Sequence, residues 1–466
     1  MEYFHDKVND LRKSQRQKNN QMTDPRTDYK ERMRALNQLK KLLLEHEDSW
    51  LKALEEDLSK APAEAYASEI ALLLNEIDLM KKNLKKWMKK KTSRRLLMTG
   101  FETVEITRKP YGSMLVIAPW NFPLQLALLP VIGALAAGNS VVLKPSEHAP
   151  ATSHLLNELI PLYLDGATLK VIEGDGRVAQ HLTAMDWDFI FFTGSVSTGQ
   201  KVYEAAARNL THVLLQLGGK NPCILDDSPL SDETIEKIIW GKFSNAGQAC
   251  IAPDTVYIDR SRYAEFLEKA EKQIETFYGK DPVNSPHYGR IIHGGQYEHL
   301  IELLDGGRIA SGGYFNREEL YISPTLLVDI EKDSRLTKEE IFGPLLPVVP
   351  YDSLDEVITR LQNAPTPIAT YVFSERPALA KRLGRELESN SVVYNQVLLQ
   401  ATSPNFPFGG KGQSGIGNYH GEASFKSLTY EKAAYRKRDF ASNAQAYPPY
   451  KEETLSLLRR FRKYIF

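Results

Sequence analysis

One cysteine stands in a setting that suits nucleophilic chemistry. Cys250 is one of only two cysteines in 466 residues, which excludes a disulfide framework and a cysteine-rich metal site. It ends the stretch GKFSNAGQAC at 241–250, in which Gly247 allows the backbone to approach a ligand closely. A thiol in such a turn lies near main-chain N–H groups, which favour the thiolate and stabilise a developing oxyanion. A lone cysteine is more often a buried core residue, so the rest of the sequence must show whether Cys250 is catalytic or structural.

Six separated motifs favour a catalytic role for Cys250. They are PWNFP at 119–123, FTGSVSTG at 192–199, LQLGGK at 215–220, NAGQAC at 245–250, EEIFGP at 339–344 and NFPFGGKGQSGIG at 405–417. In order and spacing they resemble the aldehyde dehydrogenase superfamily over most of the chain. Three further phrases resemble its class 3 branch, that of the fatty and aromatic aldehyde dehydrogenases: KPSE at 144–147, GKFSNAGQACIAPD at 241–254 and YHGEASF at 419–425.

The resemblance implies a catalytic cycle in two halves. The Cys250 thiolate attacks an aldehyde carbon, and the side-chain amide of Asn121 and the Cys250 backbone N–H hold the resulting oxyanion. A hydride then leaves to the nicotinamide ring and gives a thioacyl enzyme. Water, activated by a general base, must finally hydrolyse the thioester.

The sequence departs from the family at that base. The family motif is LELGGK, whereas this chain has LQLGGK, with Gln216 in place of the glutamate. A primary amide positions water but accepts no proton at neutral pH, so hydrolysis is expected to be slow. Three explanations stay open: an engineered substitution that traps the thioacyl enzyme, a natural variant in which another carboxylate such as Glu340 is the base, or a natural enzyme with a different acyl acceptor or no turnover. The otherwise intact motifs favour the first.

The resemblance also places the cofactor. The dinucleotide-like GDGRVA at 174–179 follows a strand, but the family binds the pyrophosphate at a later strand end, against a helix N-terminus. Lys144 can donate to the adenosine ribose and Glu147 can accept from its 2′-hydroxyl. Because Glu147 repels a 2′-phosphate, NAD is favoured, and NADP stays open. The cofactor-binding residues implied are Lys144, Glu147, Gly194, Ser195, Gly199, Trp120, Glu340 at the nicotinamide ribose and Phe342 beside the nicotinamide.

Class 3 resemblance also suggests residues for the substrate tunnel. The aromatic candidates Tyr66, Phe122 and Trp240, with Trp120, favour apolar aldehydes that are aliphatic, aromatic or polyene-derived, although each ring could equally be core packing. Ala249 is small and widens the pocket beside the thiol. No arginine for a substrate carboxylate is identified, and the histidines lack ligand spacing, so no metal site is expected.

Strand and helix patterns alternate from residue 104 onward, which predicts parallel, doubly wound sheets. The fold class implied is α/β, with two doubly wound domains of the aldehyde dehydrogenase fold and a small β oligomerisation element. A hairpin at 103–116 and a strand within 425–440 are expected to pair and bridge two subunits, which implies a homodimer. The units expected are a cofactor-binding domain at 1–210 that opens with amphipathic helices, a catalytic domain at 211–393 with Cys250, and a segment at 394–466 that returns to the site.

Composition limits the partners. A net charge of +0 gives no field that would attract nucleic acid. No apolar run reaches membrane-spanning length and no signal peptide is recognised, so an integral membrane protein is not expected, and the cytoplasm is the expected compartment. The basic amphipathic segment 455–466 could touch a membrane surface weakly, but docking on the protein is favoured.

Two other functions stay open. An acylating enzyme would pass the acyl group to a thiol carrier such as coenzyme A and form a thioester only in its presence. A binding protein that merely keeps the fold is disfavoured by the intact Cys250, Asn121 and Glu340. The particular aldehyde is not determined by the sequence.

Overall fold

Helices form the N-terminal part of the chain, as the spacing of apolar residues predicts. The computed structural model describes residues 10, 13–14, 25–97, 100–403, 405–439 and 447–460. Leu36, Leu39, Leu73 and Ile77 lie on the buried stripes of these helices. The helices are α1 (Pro25–Glu45), α2 (Glu47–Leu58), the short α3 (Pro62–Ala65) and α4 (Ala71–Trp87), with a π-helical turn at Tyr66–Ile70 between the last two.

The chain then forms a hairpin and enters the first sheet. In the hairpin, β1 (Lys91–Leu97) pairs antiparallel with β2 (Gly100–Pro110). All residues of three of the parallel strands that follow are buried, which explains their nearly continuous apolar sequence. The strands of the first sheet are β3 (Ser113–Ile117), β4 (Ser140–Lys144), β5 (Leu169–Val171), β6 (Phe189–Thr193) and β7 (His212–Gln216), and the connecting helices are α5 (Gln125–Ala137), α6 (Pro150–Tyr163), α7 (Gly176–Thr183) and α8 (Val196–Arg208).

The second sheet has seven strands in the order β10-β13-β14-β9-β8-β15-β16, and only its edge strand β10 runs antiparallel to its neighbour. Its strands are β8 (Pro222–Leu225), β9 (Thr255–Asp259), β10 (Arg308–Ser311), β13 (Thr325–Val328), β14 (Leu345–Tyr351), β15 (Ala369–Phe373) and β16 (Ser391–Tyr394), with a small separate pair β11 (Phe315–Asn316) and β12 (Tyr321–Ile322). The helices of this unit are α9 (Asp232–Phe243), α10 (Tyr263–Tyr278), α11 (Gly294–Leu304), α12 (Arg335–Lys338), α13 (Leu354–Gln362) and α14 (Pro377–Glu386).

The last part of the chain returns to the first sheet. Strands β17 (Phe408–Gly410) and β18 (Gly415–Tyr419) extend it to the order β17-β18-β7-β6-β3-β4-β5. After α15 (Gly421–Ser427), strand β19 (Thr429–Asp439) pairs antiparallel along the whole of β2. Helix α16 (Glu452–Arg460) covers part of the predicted basic tail, whose residues 461–466 lie outside the described residues.

The α/β class, with two doubly wound sheets and a small β element, is confirmed. Two expected boundaries are corrected. The strand at 212–216 was assigned to a catalytic domain starting at 211, but it pairs with β6, so the boundary falls after β7. No hairpin forms at 103–116, because Gly112 adopts φ +139° and its N–H is bound by the Asn139 side chain at 2.9 Å, which turns the chain from β2 into the first sheet.

Candidate active site

Four motifs meet at the carboxyl ends of the parallel strands of the first sheet. PWNFP follows β3, KPSE starts at the last residue of β4, the GSVSTG turn follows β6 and LGGK follows β7. β3 lies between β4 and β6, and β7 adjoins β6, so the four turns share one edge of the sheet. Open parallel sheets bind their ligands at this edge.

Cys250 follows a turn with an unusual backbone. Asn245, Ala246 and Gly247 have φ angles of 52°, 50° and 74°, three successive residues in the left-handed region. A Cβ at Gly247 would stand 2.2 Å from the carbonyl oxygen of Gly343. From the sequence, Gly247 is expected to let a ligand approach the backbone. In the structure it is the EEIFGP loop that approaches Gly247, and the missing side chain allows this loop to pack against the Cys250 turn.

Amide side chains tie the PWNFP loop to the same turn. Asn121 donates through Nδ2 to the carbonyl of Gln248 at 3.1 Å, and Asn245 donates through Nδ2 to the carbonyl of Asn121 at 2.8 Å. Gln248 accepts at Oε1 from the N–H of Ile292 at 3.0 Å, so the network reaches the second sheet's unit. A primary amide carries two donors, so Asn121 retains one for a ligand beyond its bond to Gln248.

Burial dominates the electrostatics of Cys250. The residue is partly buried, and its carbonyl accepts from Nδ2 of Asn221 at 2.8 Å. Removal from water raises the pKa of the Cys250 thiol to about 12; the charge of Glu340 adds to the rise, and a backbone N–H opposes it. The backbone N–H does favour the thiolate, but in the protein alone desolvation outweighs it and the net shift of the Cys250 pKa is upward.

Glu340 lies against the backbone of the LGGK turn. A Cβ at Gly218 would stand 1.7 Å from Oε2 of Glu340, so this position has no room for a side chain. Burial raises the pKa of Glu340 to about 8, although a hydrogen bond from the Gly219 N–H opposes the rise. Glu340 is thus an acid that ionises in the range where it can exchange protons with water.

The EEIFGP loop is fixed on both sides of Glu340. Lys220 pairs with Asp254 and donates to the carbonyl of Glu339 at 2.8 Å. The second oxygen of Asp254 accepts from the N–H of Ile341 at 3.0 Å. The Lys220–Asp254 pair therefore links the LGGK turn, the start of β9 and the loop that carries Glu340.

Gln216 ends β7 at this edge and is completely buried. Neither its amide nitrogen nor its amide oxygen has a hydrogen-bond partner within the described part of the chain. Thr193 stands opposite it in register, and its buried hydroxyl is also unpartnered. An unsatisfied buried amide costs about 1–3 kcal/mol. The amide of Gln216 and the hydroxyl of Thr193 are therefore available to hydrogen-bond a ligand or a water bound at this edge.

Several of the expected cofactor residues lie just beyond the carboxyl ends of β4 and β6. Lys144 is buried and pairs with Glu147, which is exposed at the end of β4. Ser195 caps α8 by accepting from the N–H of Thr198, and the positive end of that helix faces the strand end. A Cβ at Gly194 would meet the Phe192 ring at 2.6 Å, and one at Gly199 would meet Leu217 at 2.4 Å. The donor set and the glycine turn fit NAD(P).

The GDGRVA turn, the alternative candidate for binding the pyrophosphate, has a structural role. It forms the start of α7, where Asp175 accepts from the N–H groups of Arg177 and Val178. A negative charge therefore already occupies the helix N-terminus, which disfavours a phosphate there. A Cβ at Gly176 would stand 4.0 Å from Oε1 of Glu147, so the turn lies beside that side chain.

Aromatic rings bring the PWNFP and EEIFGP loops together. Trp120 and Phe342 meet edge to face, with 5.2 Å between ring centroids. His293, which the sequence did not single out, contacts Trp120 at 5.9 Å and stacks near His148 at 4.2 Å. These ring contacts hold the two loops against each other at the place expected for the nicotinamide.

An apolar cavity of about 550 Å³ reaches Cys250 from the other side. Phe122, Trp240 and Ala249 line it, as expected. Tyr66 does not, and it is 39 % exposed. The cavity is lined instead by Ala63 and Glu64 of α3 and by Ala67 and Ser68 of the π-helical turn that begins at Tyr66.

A buried ion pair below the PWNFP loop was missed by the sequence argument. Lys60 and Glu69 are both inaccessible, with 2.5 Å between Nζ and Oε1. The second oxygen of Glu69 accepts from the N–H groups of Leu124 and Gln125 at 2.9 and 3.1 Å. Lys60 also lies 4.4 Å from the centre of the Phe122 ring. The pair thus holds the loop that carries Asn121.

The second cysteine and the metal-binding residue types remain. Cys223 is buried in β8, where burial raises the pKa of its thiol, so it is a core residue. Among the described residues, no group of three or more histidine, cysteine, aspartate or glutamate side chains could hold a metal ion. In the same part of the chain, no helix combines the length and apolarity needed to cross a membrane.

Comparison with known proteins agrees with this geometry. The aldehyde dehydrogenase family model matches residues 7–434. A 4,4′-diapolycopene-4,4′-dial dehydrogenase of Cytobacillus firmus is 45 % identical over 401 residues, which cover 86 % of this chain and 88 % of that protein. Human aldehyde dehydrogenase family 3 member B1 is 39 % identical, with 92 % of each chain covered.

The fold has a close counterpart in a solved structure. The substrate-bound structure of Staphylococcus aureus AldH superposes with a TM-score of 0.93 at 38 % identity, over 98 % of this chain and 99 % of that one. The family model and the class 3 relatives together cover nearly all of the residues that build the site. The chain therefore belongs to the aldehyde dehydrogenase family and is a class 3-like, NAD(P)-dependent aldehyde dehydrogenase.

Proposed function

We propose that this enzyme oxidises an apolar aldehyde through a thioacyl intermediate on Cys250. The observation that carries the proposal is what meets at Cys250: the apolar cavity that the thiol lines, the Asn121 side chain bonded to the Cys250 turn, and Glu340, whose charge acts on the thiol. The Cys250 thiol gives up its proton to water, and the resulting thiolate attacks the aldehyde carbon. The spare N–H of Asn121 and the Cys250 backbone N–H then stabilise the oxyanion.

The cofactor site supports NAD as the preferred form. Bound NAD(P) would supply the hydride acceptor and a positively charged ring beside the thiol. Lys144 and Glu147 would orient the adenosine ribose, and the carboxylate would disfavour a 2′-phosphate. The Trp120 and Phe342 rings would exclude water from the nicotinamide side.

The cavity supports an apolar substrate. Its walls are mostly aliphatic and aromatic, and no lysine or arginine lines it in the described part of the chain. Its volume of about 550 Å³ is that of a typical small-molecule site. Medium-chain aliphatic, aromatic and polyene-derived aldehydes fit this lining. The Cytobacillus firmus relative is described as acting on a polyene dialdehyde, which supports the same class.

The second half of the cycle depends on Glu340. Gln216 can orient water but cannot accept its proton. Glu340 has a raised pKa of about 8 and is coupled electrostatically to the thiol, so it is the carboxylate available to assist hydrolysis. Hydrolysis assisted from this position should be slow, because the carboxyl is mostly protonated at neutral pH.

The proposal is tested by trapping the acyl group. The enzyme is mixed with NAD and hexanal, quenched, and its intact mass is measured together with free hexanoate. We expect one hexanoyl group on the peptide that contains Cys250, one NADH formed per site, and slow release of free acid. A Cys250→Ala variant should carry no adduct. NADH formation without any adduct on Cys250, or acid release only after coenzyme A is added, would contradict the proposal.

A pH profile tests the role of Glu340. Decay of the isolated hexanoyl enzyme should accelerate from about pH 6 to about pH 9 and level off above the pKa of about 8, because only ionised Glu340 accepts a proton. The decay rate is followed by mass, which separates it from ionisation of the thiol. A Glu340→Gln variant should lose the inflection. An unchanged inflection in that variant would assign the base to another group.

We also propose a cytoplasmic homodimer. Two free cysteines suit a reducing compartment, in which the nucleophile stays a thiol. The sheet formed by β1, β2 and β19 presents exposed rings of Tyr430 and Tyr435 that a second copy could cover. A Tyr435→Glu variant should then shift the mass in solution toward the monomer, which light scattering measures.

A further inference from the structure

A small annex opens from the apolar cavity. It is lined by Leu72, Asn75, Glu76, Gln125, Leu129, Ala401, Thr402 and His420. Five of these residues also line the main cavity: Leu72, Gln125, Ala401, Thr402 and His420. The space inside the annex, about 10 Å³, is close to the room that a single water or hydroxyl group needs.

His420 places an unpartnered polar atom at this annex. The residue is only 5 % exposed, and its Nε2 has no hydrogen-bond partner within the described part of the chain. The ring is stacked on Phe408 with 5.2 Å between centroids and meets the edge of Tyr419 at 4.5 Å. Packing therefore fixes the imidazole, and burial lowers its pKa to about 3, which keeps it neutral. The free nitrogen of this buried neutral ring is therefore available to a partner from outside the protein, either a water or a polar group of a ligand.

Glu76 forms a second polar wall. Its side chain is buried, and Oε1 accepts from the N–H of Gly421, the residue after His420, at 2.7 Å. Burial raises the pKa of Glu76 to about 7, so its protonated form is available to donate a hydrogen bond near neutral pH. Among the described residues that line the annex, none is a lysine or an arginine. The annex therefore suits a neutral polar group and opposes an anion.

Because the annex and the main cavity share five lining residues, the two spaces adjoin, and a single substrate can reach from the thiol toward the annex. Cys250 and His420 both line the main cavity, and Tyr419 and Phe408 add apolar surface to the same cavity. An aldehyde bound at Cys250 would extend its alkyl chain along this surface and bring its far end to Nε2 of His420.

We propose that the annex at His420 and Glu76 binds a neutral polar group, a hydroxyl or a second carbonyl, at the end of the substrate remote from the reacting aldehyde. The preferred substrates are then ω-hydroxy aldehydes or dialdehydes of one chain length. This deepens the proposed function and rests on it, since it assumes that the aldehyde reacts at Cys250.

The test compares chain-matched substrates. Rates of the first turnover, measured by NADH formation, are determined for n-alkanals, their ω-hydroxy derivatives and their ω-carboxy derivatives from butanal to decanal. At one chain length the ω-hydroxy aldehyde should exceed the n-alkanal about tenfold in kcat/KM, the gain from one hydrogen bond to a buried neutral group, and the ω-carboxy derivative should be the poorest. Equal rates for hydroxy and alkyl substrates at every length would mean that the annex holds only a water and would overturn the proposal.

A pair of variants assigns the preference to the annex. His420→Phe keeps the ring stacking and removes Nε2, so the ratio of hydroxy to alkyl rates should fall to about one. Leu399→Met, on the cavity wall but outside the annex, should keep the ratio. A His420→Phe enzyme that keeps the preference would contradict the assignment. If the His420→Phe variant does not fold, the comparison of hydroxy and alkyl aldehydes with the wild-type enzyme still tests the proposal.

A binding measurement separates this proposal from the catalytic one. ω-Hydroxyhexanoate should protect Cys250 from alkylation by iodoacetamide at lower concentration than hexanoate does. If no aldehyde gives NADH but this difference is found, the proposed reaction fails and the annex stands. If aldehydes react and the two acids protect equally at every chain length tested, the annex fails alone.

Discussion

Replacing Gln216 by glutamate should raise steady-state turnover of hexanal by roughly 10²–10⁴, the usual contribution of a positioned general base. Gln216 is fully buried at the carboxyl end of β7, and neither of its amide atoms has a partner within the described residues. A carboxylate of the same length would accept the proton that the amide cannot. The gain should be confined to deacylation, so the rate of the first turnover should be unchanged while the steady phase that follows becomes faster.

The matched control removes the amide without adding a base. A Gln216→Met variant has similar length but neither donates nor accepts strongly, so its steady rate should be no higher than that of the wild type. The burst and the steady phase of NADH are recorded with all three proteins under the same conditions. Fast steady turnover by the wild type, equal to that of the glutamate variant, would mean that Glu340 or another group activates water without help from position 216.

The elements of the fold follow from the sequence more readily than their assembly does. Strands such as FIFFT at 189–193 are recognisable because a strand buried on both faces must be apolar throughout. The sheet to which a strand belongs is decided by distant partners. β7 was assigned to the wrong unit for this reason, since only its pairing with β6 and β18 places it.

Two further expectations changed because they depend on local backbone and packing. Tyr66, expected in the substrate tunnel, starts a π-helical turn, is exposed and does not line the cavity, whereas Ala67 and Ser68 of the same turn do. The thiol of Cys250 was expected to be activated by N–H groups, which a sequence can suggest. The desolvation that outweighs them depends on packing by residues from several loops, which a sequence does not display.

The charged residues that support the site did leave a signal in the sequence. Glu69 and Glu76 lie on the same stripe as Ile70, Leu73 and Ile77, all of which are buried. A carboxylate on the apolar face of a helix needs a specific partner, so such a residue marks a polar contact in the core. The sequence does not reveal the partners, which are Lys60 for Glu69 and the N–H of Gly421 for Glu76.

Removing the partner of Glu69 should be strongly destabilising. A Lys60→Met variant leaves a carboxylate that is inaccessible to water and lies beneath the PWNFP loop. Loss of one member of a buried pair costs about 3–5 kcal/mol, and the free energy of unfolding from urea titrations should fall by that amount. A matched surface control is Lys40→Met, which breaks the exposed pair with Asp78 and should cost less than about 1 kcal/mol.

The second variant distinguishes lost charge balance from lost packing. In the double variant Lys60→Met/Glu69→Gln no charge is buried, and the amide oxygen can still accept from the N–H groups of Leu124 and Gln125. Most of the stability should return, because the penalty of Lys60→Met lies in the unpaired carboxylate. If the double variant is as unstable as Lys60→Met, the contact of Lys60 with the Phe122 ring, 4.4 Å away, carries the stability instead. Recovery would show that the buried pair matters chiefly because Glu69 must be an acceptor for the loop that carries Asn121, and that Lys60 makes its charge tolerable.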